Sequence, residues 1–526
     1  MGVPMLCWPY FADQFLNSTY VVDVWKVGLR LEANNDGLVE KEEIRKVIER
    51  LVATEEGRII REEMKKWSST AKSTVKEGGS SSTNYKLFVN AMMKSRFVRM
   101  SACLEKMSSG NCKTKMPHAL LIPFPAQGHI NPMMQLAWKL VSDGFFITFL
   151  NTDVNHQRII KANKDKDMQN NGDKIRMISV PGGLPPKKVA ELHHISLAGF
   201  HTSLVSTFAI RYFSPKLVSL GILPSDGIPE DDMVQKYLPS MPPLQSAHLP
   251  WFSGGEYLFR HGIRMAKEVA KIEWILFNTI YELEGGVADD LSREMGVFPI
   301  GPLISPEFLN GDRKISTTAS IWEDNMECLE WLEKQCEQSV IYVAFGSHGI
   351  LNNQQVEELA LGLEAAQRPF LWVVHSDVMN GTIGGLPAGF LDRVDDRGCI
   401  VSWAPQLRVL SHPSIACFVT HCGWNSVQES ITMGVPMLCW PHFGDQFINS
   451  TYVVHVWKVG LPLKLNNDGL IEKEEFRRAI ERLVATEEGR AIREEMKKWN
   501  SIARNTVKEG GLSSTNYNLF VKAMMK

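Results

Sequence analysis

The residue types best suited to chemistry fall in one stretch of 44, from Trp403 to Gln446. An apolar, β-type run from Ile415 to Thr420 ends at His421-Cys422-Gly423-Trp424, and Asn425 to Met433 has the pattern of a helix. A strand that breaks at a glycine turn and passes into a helix aims free backbone N–H groups and the positive end of the helix dipole at one point, where an anion binds. Asn425 and Ser426 suit both capping and phosphate contact, and His421 adds a donor from the strand end. Glu429 lies four residues after Asn425 and returns to the same helix face one turn later, where a carboxylate can accept hydrogen bonds from a diol. Trp403 offers a flat face for a planar ring, and Asp445-Gln446, after the apolar run Val435 to Trp440, offer polar contacts for hydroxyls. Taken singly, a Trp is usually core and a helical Glu usually a solvated face. The joint spacing is what favours a site.

A second candidate stands far upstream. His118 to Phe124 is an apolar strand, followed by the loop PAQGHINP and an amphipathic helix from Met133 to Val141. Gly128-His129 therefore sit at the carboxyl end of a first strand, where open α/β sheets place ligands. A histidine there has the right ordinary pKa to take a proton from a hydroxyl near neutrality.

The box from Trp403 to Gln446, with its core HCGWNS, resembles the donor-binding box of plant UDP-glycosyltransferases along its whole length. The resemblance implies an α/β fold of two Rossmann-like domains facing a cleft, the GT-B arrangement. It places Trp403 on the uracil ring, Glu429 on the ribose, His421, Asn425 and Ser426 around the diphosphate, and Asp445 and Gln446 on the sugar, with Trp424 also among the donor-binding residues. It also puts Ser347, in the turn Gly346-Ser347-His348, at the diphosphate, and makes His129 the catalytic base. The implied reaction is inverting transfer of glucose from UDP-glucose to a hydroxyl of a small lipophilic plant metabolite such as a flavonoid or phenol, with no cofactor and no metal. Gln446 leans the donor toward glucose. The alternative is a UDP-sugar-binding protein with impaired catalysis, or a non-functional fused product. A nicotinamide enzyme fits poorly, because neither βα turn carries G-x-G-x-x-G.

The elements that must position these residues divide the chain. Residues 117–303 read as the acceptor domain, 304–325 as the interdomain connection, 326–500 as the donor domain and 501–526 as a C-terminal helical segment, with Asn516 to Met525 a candidate to cross back onto the acceptor domain. The acceptor domain departs from the family. After the strand Ile175 to Val180 the family supplies a strand ending in an aspartate that pairs with the histidine. Here GGLPPKKVAELHH leads directly to a helical stretch, Phe200 to Leu220. Asp226, Glu230, Asp231 and Asp232 lie in a Pro- and Gly-punctuated loop and make poor partners.

The N-terminus holds a repeat. Residues 1–94 align without a gap onto 433–526 and differ at 19 positions, leaving 75 of 94 identical. The copy begins inside the box, so it carries Asp13-Gln14 but none of the residues that would hold a nucleotide. Half a Rossmann-like domain lacks the strands that would bury its apolar faces, and we read it as a tandem-gene fusion or an artefact of gene assembly, joined by a linker over 95–116; the alternative is a genuine appendage that packs on its own chain or on a partner. Its segment Glu32 to Glu43 has glycine sixth and glutamate twelfth, as in a calcium loop, but Lys464 opens the second copy and would repel the metal.

Composition bounds the rest. The chain of 526 residues is 44% hydrophobic and 22% charged, with a net charge of −2, which is globular and gives no basis for binding nucleic acid or an acidic membrane. It has no 18-residue apolar run, and its nine cysteines form no CxxC pair, so a monomer in the reducing cytoplasm is expected.

Overall fold

Strands buried on both faces must be apolar throughout, and VIYVA at Val340–Ala344 (β9) and IACFVT at Ile415–Thr420 (β12) are buried at every position. They lie at the centre of a computed structural model that describes residues 4–7, 18, 20–31, 39–75, 117–162, 174–180, 197–227, 240–251, 255–269, 272–311, 320–347, 351–374 and 385–525. Asp13, Gln14, the 95–116 linker, His348 and residues 230–232 fall outside that set. The chain divides into two units, Met1–Lys115 and Met116–Lys526.

The described residues of the first unit include two short parallel strands, β1 (Met5–Cys7) and β2 (Gly28–Arg30), a π-helical turn at Tyr20–Val24, and the helices α1 (Lys41–Ala53) and α2 (Glu55–Val75). Each recurs 432 residues later in the second unit. The surroundings of the recurring side chains differ. Trp25 is 39% exposed where Trp457 is 1%, and Ile48 is 43% exposed where Ile480 is 1%.

The second unit opens with β3 (His118–Leu121), α3 (Gln127–Ser142), β4 (Phe146–Thr152), α4 (Asp153–Ala162) and β5 (Ile175–Val180). These three strands form one parallel sheet in the order β3-β4-β5. The helix begins six residues earlier than sequence periodicity suggests, so Gly128 and His129 lie in its first turn and not in a loop. Next come β6 (Ala198–His201), α5 (Val205–Ser219), α6 (Gly255–Val269), β7 (Trp274–Phe277), α7 (Tyr281–Ser292) and β8 (Val297–Pro299). Here the expected helix from Phe200 to Leu220 is corrected. Ala198 to His201 pair in parallel with Trp274 to Phe277, and the helix starts only at Val205. Four residues are too few to reveal a period, and a tertiary ladder decides their state.

The second sheet, β6-β7-β8, is separate from the first. Ala119 and Leu121 of β3 nevertheless pack into the same apolar cluster as Ala198 and Phe200 of β6.

The donor half forms one six-stranded parallel sheet in the order β11-β10-β9-β12-β13-β14. Its elements are β9, α8 (Asn353–Ala366), β10 (Phe370–Val373), β11 (Gly398–Val401), α9 (Gln406–Leu410), β12, α10 (Trp424–Met433), β13 (Met437–Cys439), α11 (Gln446–Thr451), β14 (Gly460–Pro462), α12 (Lys473–Ala485), α13 (Glu487–Thr506) and α14 (Leu512–Met524). The last helix returns to the acceptor half. Tyr517 donates to Asp143 at 2.5 Å, Asn516 donates to the Pro299 carbonyl at 2.9 Å, and Phe520 packs on Trp274.

Candidate functional site

In the donor sheet the strand order reverses between β9 and β12, and ligands of open α/β sheets bind outside the carboxyl ends at such a point. Gly346-Ser347 follow β9, and His421 follows β12. Their fit is close. A Cβ on Gly346 would lie 2.8 Å from the His421 ring, and one on Gly423 would lie 2.3 Å from its Nε2. The imidazole is therefore held between two positions that admit only glycine, and Gly346 also needs its positive φ of 67°. Cys422 turns the chain at φ 62°, and Gly423 is the N-cap of α10, so Asn425 and Ser426 stand in its first turn and not at the cap.

Gln406, three residues beyond Trp403, organises the next turn. Its Nε2 donates to Ser426 Oγ at 2.9 Å and to Glu429 Oε2 at 2.8 Å. Burial pushes the Glu429 carboxyl up to about 7, and the Gln406 hydrogen bond opposes that rise. The Trp403 ring packs 5.9 Å from Trp322. At the far end of the box, Asn449 Nδ2 donates to the Cys422 carbonyl at 2.8 Å and to Asp445 Oδ2 at 3.1 Å. This ties the sugar end of the box to its glycine turn.

Two of the expected donor residues are engaged within the protein. The Trp424 side chain is 3% exposed and donates its indole N–H to the Asn278 carbonyl at 2.7 Å, so it packs the two halves together. Gln446 is buried, and its Oε1 accepts from the backbone N–H of His442 at 2.8 Å and of Phe443 at 3.2 Å. The oxygen shapes its own loop, and only the amide nitrogen remains for a ligand.

The decisive contact crosses between the halves. Pro132, inside α3, has no N–H to offer the Gly128 carbonyl four residues before it. Asn425 Nδ2 donates to that carbonyl at 2.7 Å. The N-terminal end of α10 is thereby fixed against the turn that carries His129. The exposed His129 ring meets Phe124 edge-on at 5.2 Å, and its Nδ1 lies 3.2 Å from Thr202 Oγ1, just past β6.

Behind Thr202 stands a second buried carboxylate. Glu284 accepts from the N–H groups of Val205 and Ser206 at 2.9 Å each, which caps α5, and from Ser206 Oγ at 2.6 Å. Burial pushes it up to about 7 against these hydrogen bonds. Tyr452, from the donor half, meets Ser206 Oγ at 2.5 Å. His201 is pushed down to about 4 by burial, with Arg211 and His129 acting in the same direction. Asp226 lies in a turn after α5. Sequence reasoning missed Thr202, Asn278, Gln406 and Asn449. Gln406 alone carried a signal, its place inside the box.

Comparison with known proteins agrees with this geometry. The family described as "UDP-glucoronosyl and UDP-glucosyl transferase" matches residues 313–498. Linamarin synthase 1 of Manihot esculenta is 33% identical over 477 residues, covering 78% of this chain and 97% of that protein. The chain belongs to the UDP-glycosyltransferase family. UDP-glycosyltransferase 83A1 of Arabidopsis thaliana is 32% identical, covering 79% of this chain and 98% of that protein. Among solved structures, UGT2 of Phytolacca americana superimposes with a TM-score of 0.64 at 27% identity, covering 78% of this chain and all of that one. The fold is GT-B, and this glycosyltransferase is a hexosyltransferase of the type used in plant secondary metabolism. Among its described residues no helix is long and apolar enough to cross a membrane.

Proposed function

We propose that this glycosyltransferase moves glucose from UDP-glucose onto a hydroxyl of a small lipophilic plant metabolite, a flavonoid or simple phenol, with inversion at the anomeric carbon. His129 accepts the hydroxyl proton. The acceptor oxygen attacks from the face opposite UDP, and the departing diphosphate meets the α10 N-terminus at Asn425-Ser426 together with His421 and Ser347. These donors supply the charge stabilisation without a metal or cofactor. Trp403 carries the uracil, Glu429 the ribose, and Asp445 with the Gln446 amide nitrogen the sugar.

The observation that carries the reading is the 2.7 Å hydrogen bond from Asn425 to the Gly128 carbonyl, which sets the phosphate end of one half beside the base of the other. The names of relatives support the donor, since a 7-deoxyloganetin glucosyltransferase of Catharanthus roseus is 31% identical. A structure of Phytolacca americana UGT2 holds UDP-2-fluoro-glucose and pterostilbene. The test is transfer from UDP-glucose to a panel of flavonols and phenols, with product detected by mass. His129→Ala is expected to lower transfer by about 10²–10⁴-fold. Turnover indifferent to that change removes His129 as the base.

One observation favours a slow enzyme or a UDP-sugar binder. The acceptor half has two separate three-stranded sheets, and a hydroxyl, Thr202, meets His129 where relatives are expected to place a carboxylate. The alignment with linamarin synthase 1 runs over 477 residues, while 78% of 526 is about 410, which supports an acceptor domain short by one strand and helix. Residues 1–94 fit a tandem copy that adds no site, and a cytoplasmic monomer fits the free thiols and absent span.

A further inference from the structure

We infer that Thr202 is the positioning residue of His129: its hydroxyl oxygen accepts the Nδ1–H of the imidazole, so that Nε2 is the nitrogen that takes up a proton. The inference rests on the reading of His129 as the base. Its evidence is the 3.2 Å separation of Thr202 Oγ1 and His129 Nδ1, together with the way both partners are held.

Thr202 follows directly on β6, whose register with β7 sets His201 opposite Phe277. Three residues later α5 begins, with its first N–H groups anchored on Glu284. His129 sits in the first turn of α3, whose Gly128 carbonyl is held by Asn425. Backbones pinned on both sides hold the hydroxyl and the ring nitrogen together without a ladder between β3 and β6.

In the reaction, the acceptor O–H proton passes to Nε2 as the oxygen bonds to the anomeric carbon. The bond from that carbon to the diphosphate oxygen breaks, and UDP leaves with the electron pair. The imidazolium keeps Nδ1–H on Thr202 throughout. A hydroxyl fixes the tautomer but brings no negative charge. Among the described residues, His201 lies near His129 and is itself affected by Arg211, which Asp445 of the donor half attracts. Thr202 therefore orients the base without stabilising its protonated form, whereas a carboxylate does both.

The tautomer can be read without any acceptor. In the full-length chain labelled with ¹⁵N-histidine, the ring-nitrogen shifts of His129, assigned by their loss in H129Q, are expected to report the Nδ1–H form as the major one. T202V is expected to move the ratio toward Nε2–H by about two- to tenfold, the range a single neutral hydrogen bond sustains, and T202S to restore it. T202D is expected to raise the pH at which His129 titrates. An Nε2–H major form in the natural chain, or a ratio unmoved by T202V, overturns the inference. Where T202V is poorly folded, the T202S and T202D spectra decide by the same criteria. Calorimetry with UDP on the natural chain is a separate arm. Loss of UDP binding with the tautomer shift intact removes the glycosyltransferase reading and leaves the Thr202–His129 pair standing.

Discussion

The two halves of the second unit both place their candidate site residues at the carboxyl ends of parallel strands, but they build those places differently. Between β9 and β12 a ladder runs up to the site, shifting register once between Ile415 and Cys417 and then pairing Val343 with Val419 and Ala344 with Thr420, so Gly346 and His421 emerge side by side from one sheet. Between β3 and β6 there is apolar packing in place of a ladder, and His129 and Thr202 meet through a side-chain contact. A continuous sheet fixes a site through backbone hydrogen bonds. A divided one depends on a few side chains, Asn425 and Glu284 above all.

This contrast can be broken most severely at Gly346. Gly346→Ala puts a Cβ into the His421 ring at a positive φ, and the combined clash and strain should cost about 2–4 kcal/mol, lowering UDP affinity by at least about 30-fold in calorimetry. Affinity within a few-fold of the natural chain would mean that the donor site is as adaptable as the acceptor side.

Each half also holds one buried carboxyl raised to about 7, Glu429 in the donor half and Glu284 in the acceptor half. Both lie above their unfolded value of 4.5, so the folded chain holds extra protons between about pH 4.5 and 7. Stability from this source is fully present below that window and is lost as pH rises through it, by up to about 3 kcal/mol for each group. Thermal unfolding from pH 5 to 8 should show the decline, and E284Q and E429Q should each flatten it. A curve that neither variant changes would assign the pH dependence elsewhere.

Glu429→Ala should weaken UDP by about 1–3 kcal/mol, the cost of leaving buried polar groups unpaired. Unchanged affinity would take the ribose away from Glu429. The smallest effect is expected from removing the first unit. A chain beginning at Met116 should bind UDP within about twofold of the full chain, because every residue proposed to hold the donor belongs to the second unit. Insolubility of that shorter chain alone would make the repeat a structural part.

What was legible in the sequence was local. The strand, turn and helix from Ile415 to Met433 follow from an apolar run, a glycine and a helical period, all within 19 residues. The exposure of Trp25 in the first unit follows from half a domain being repeated without counterparts of Leu283 and Trp424, which pack on Trp457. What was hidden depends on distant partners. Asn425 and Gly128 are 297 residues apart, and nothing near Pro132 says where the freed carbonyl will find its donor. Trp424 resembles a ligand contact by its place in the box, yet Asn278, 146 residues away, claims its N–H. β6 is too short to show a period and exists because β7 is there to pair with it.

The link from Tyr452 through Ser206 to Glu284 has a mechanical consequence. Tyr452 directly follows α11, the helix that Gln446 begins, and Ser206 lies in the first turn of α5, four residues after Thr202. A displacement of the donor half would be carried along these hydrogen bonds to the end of α5 and from there to Thr202, the neighbour of His129. The cleft would then work as a lever with a short arm, and under the proposed assignment occupancy of one wall would set the aim of the base on the other.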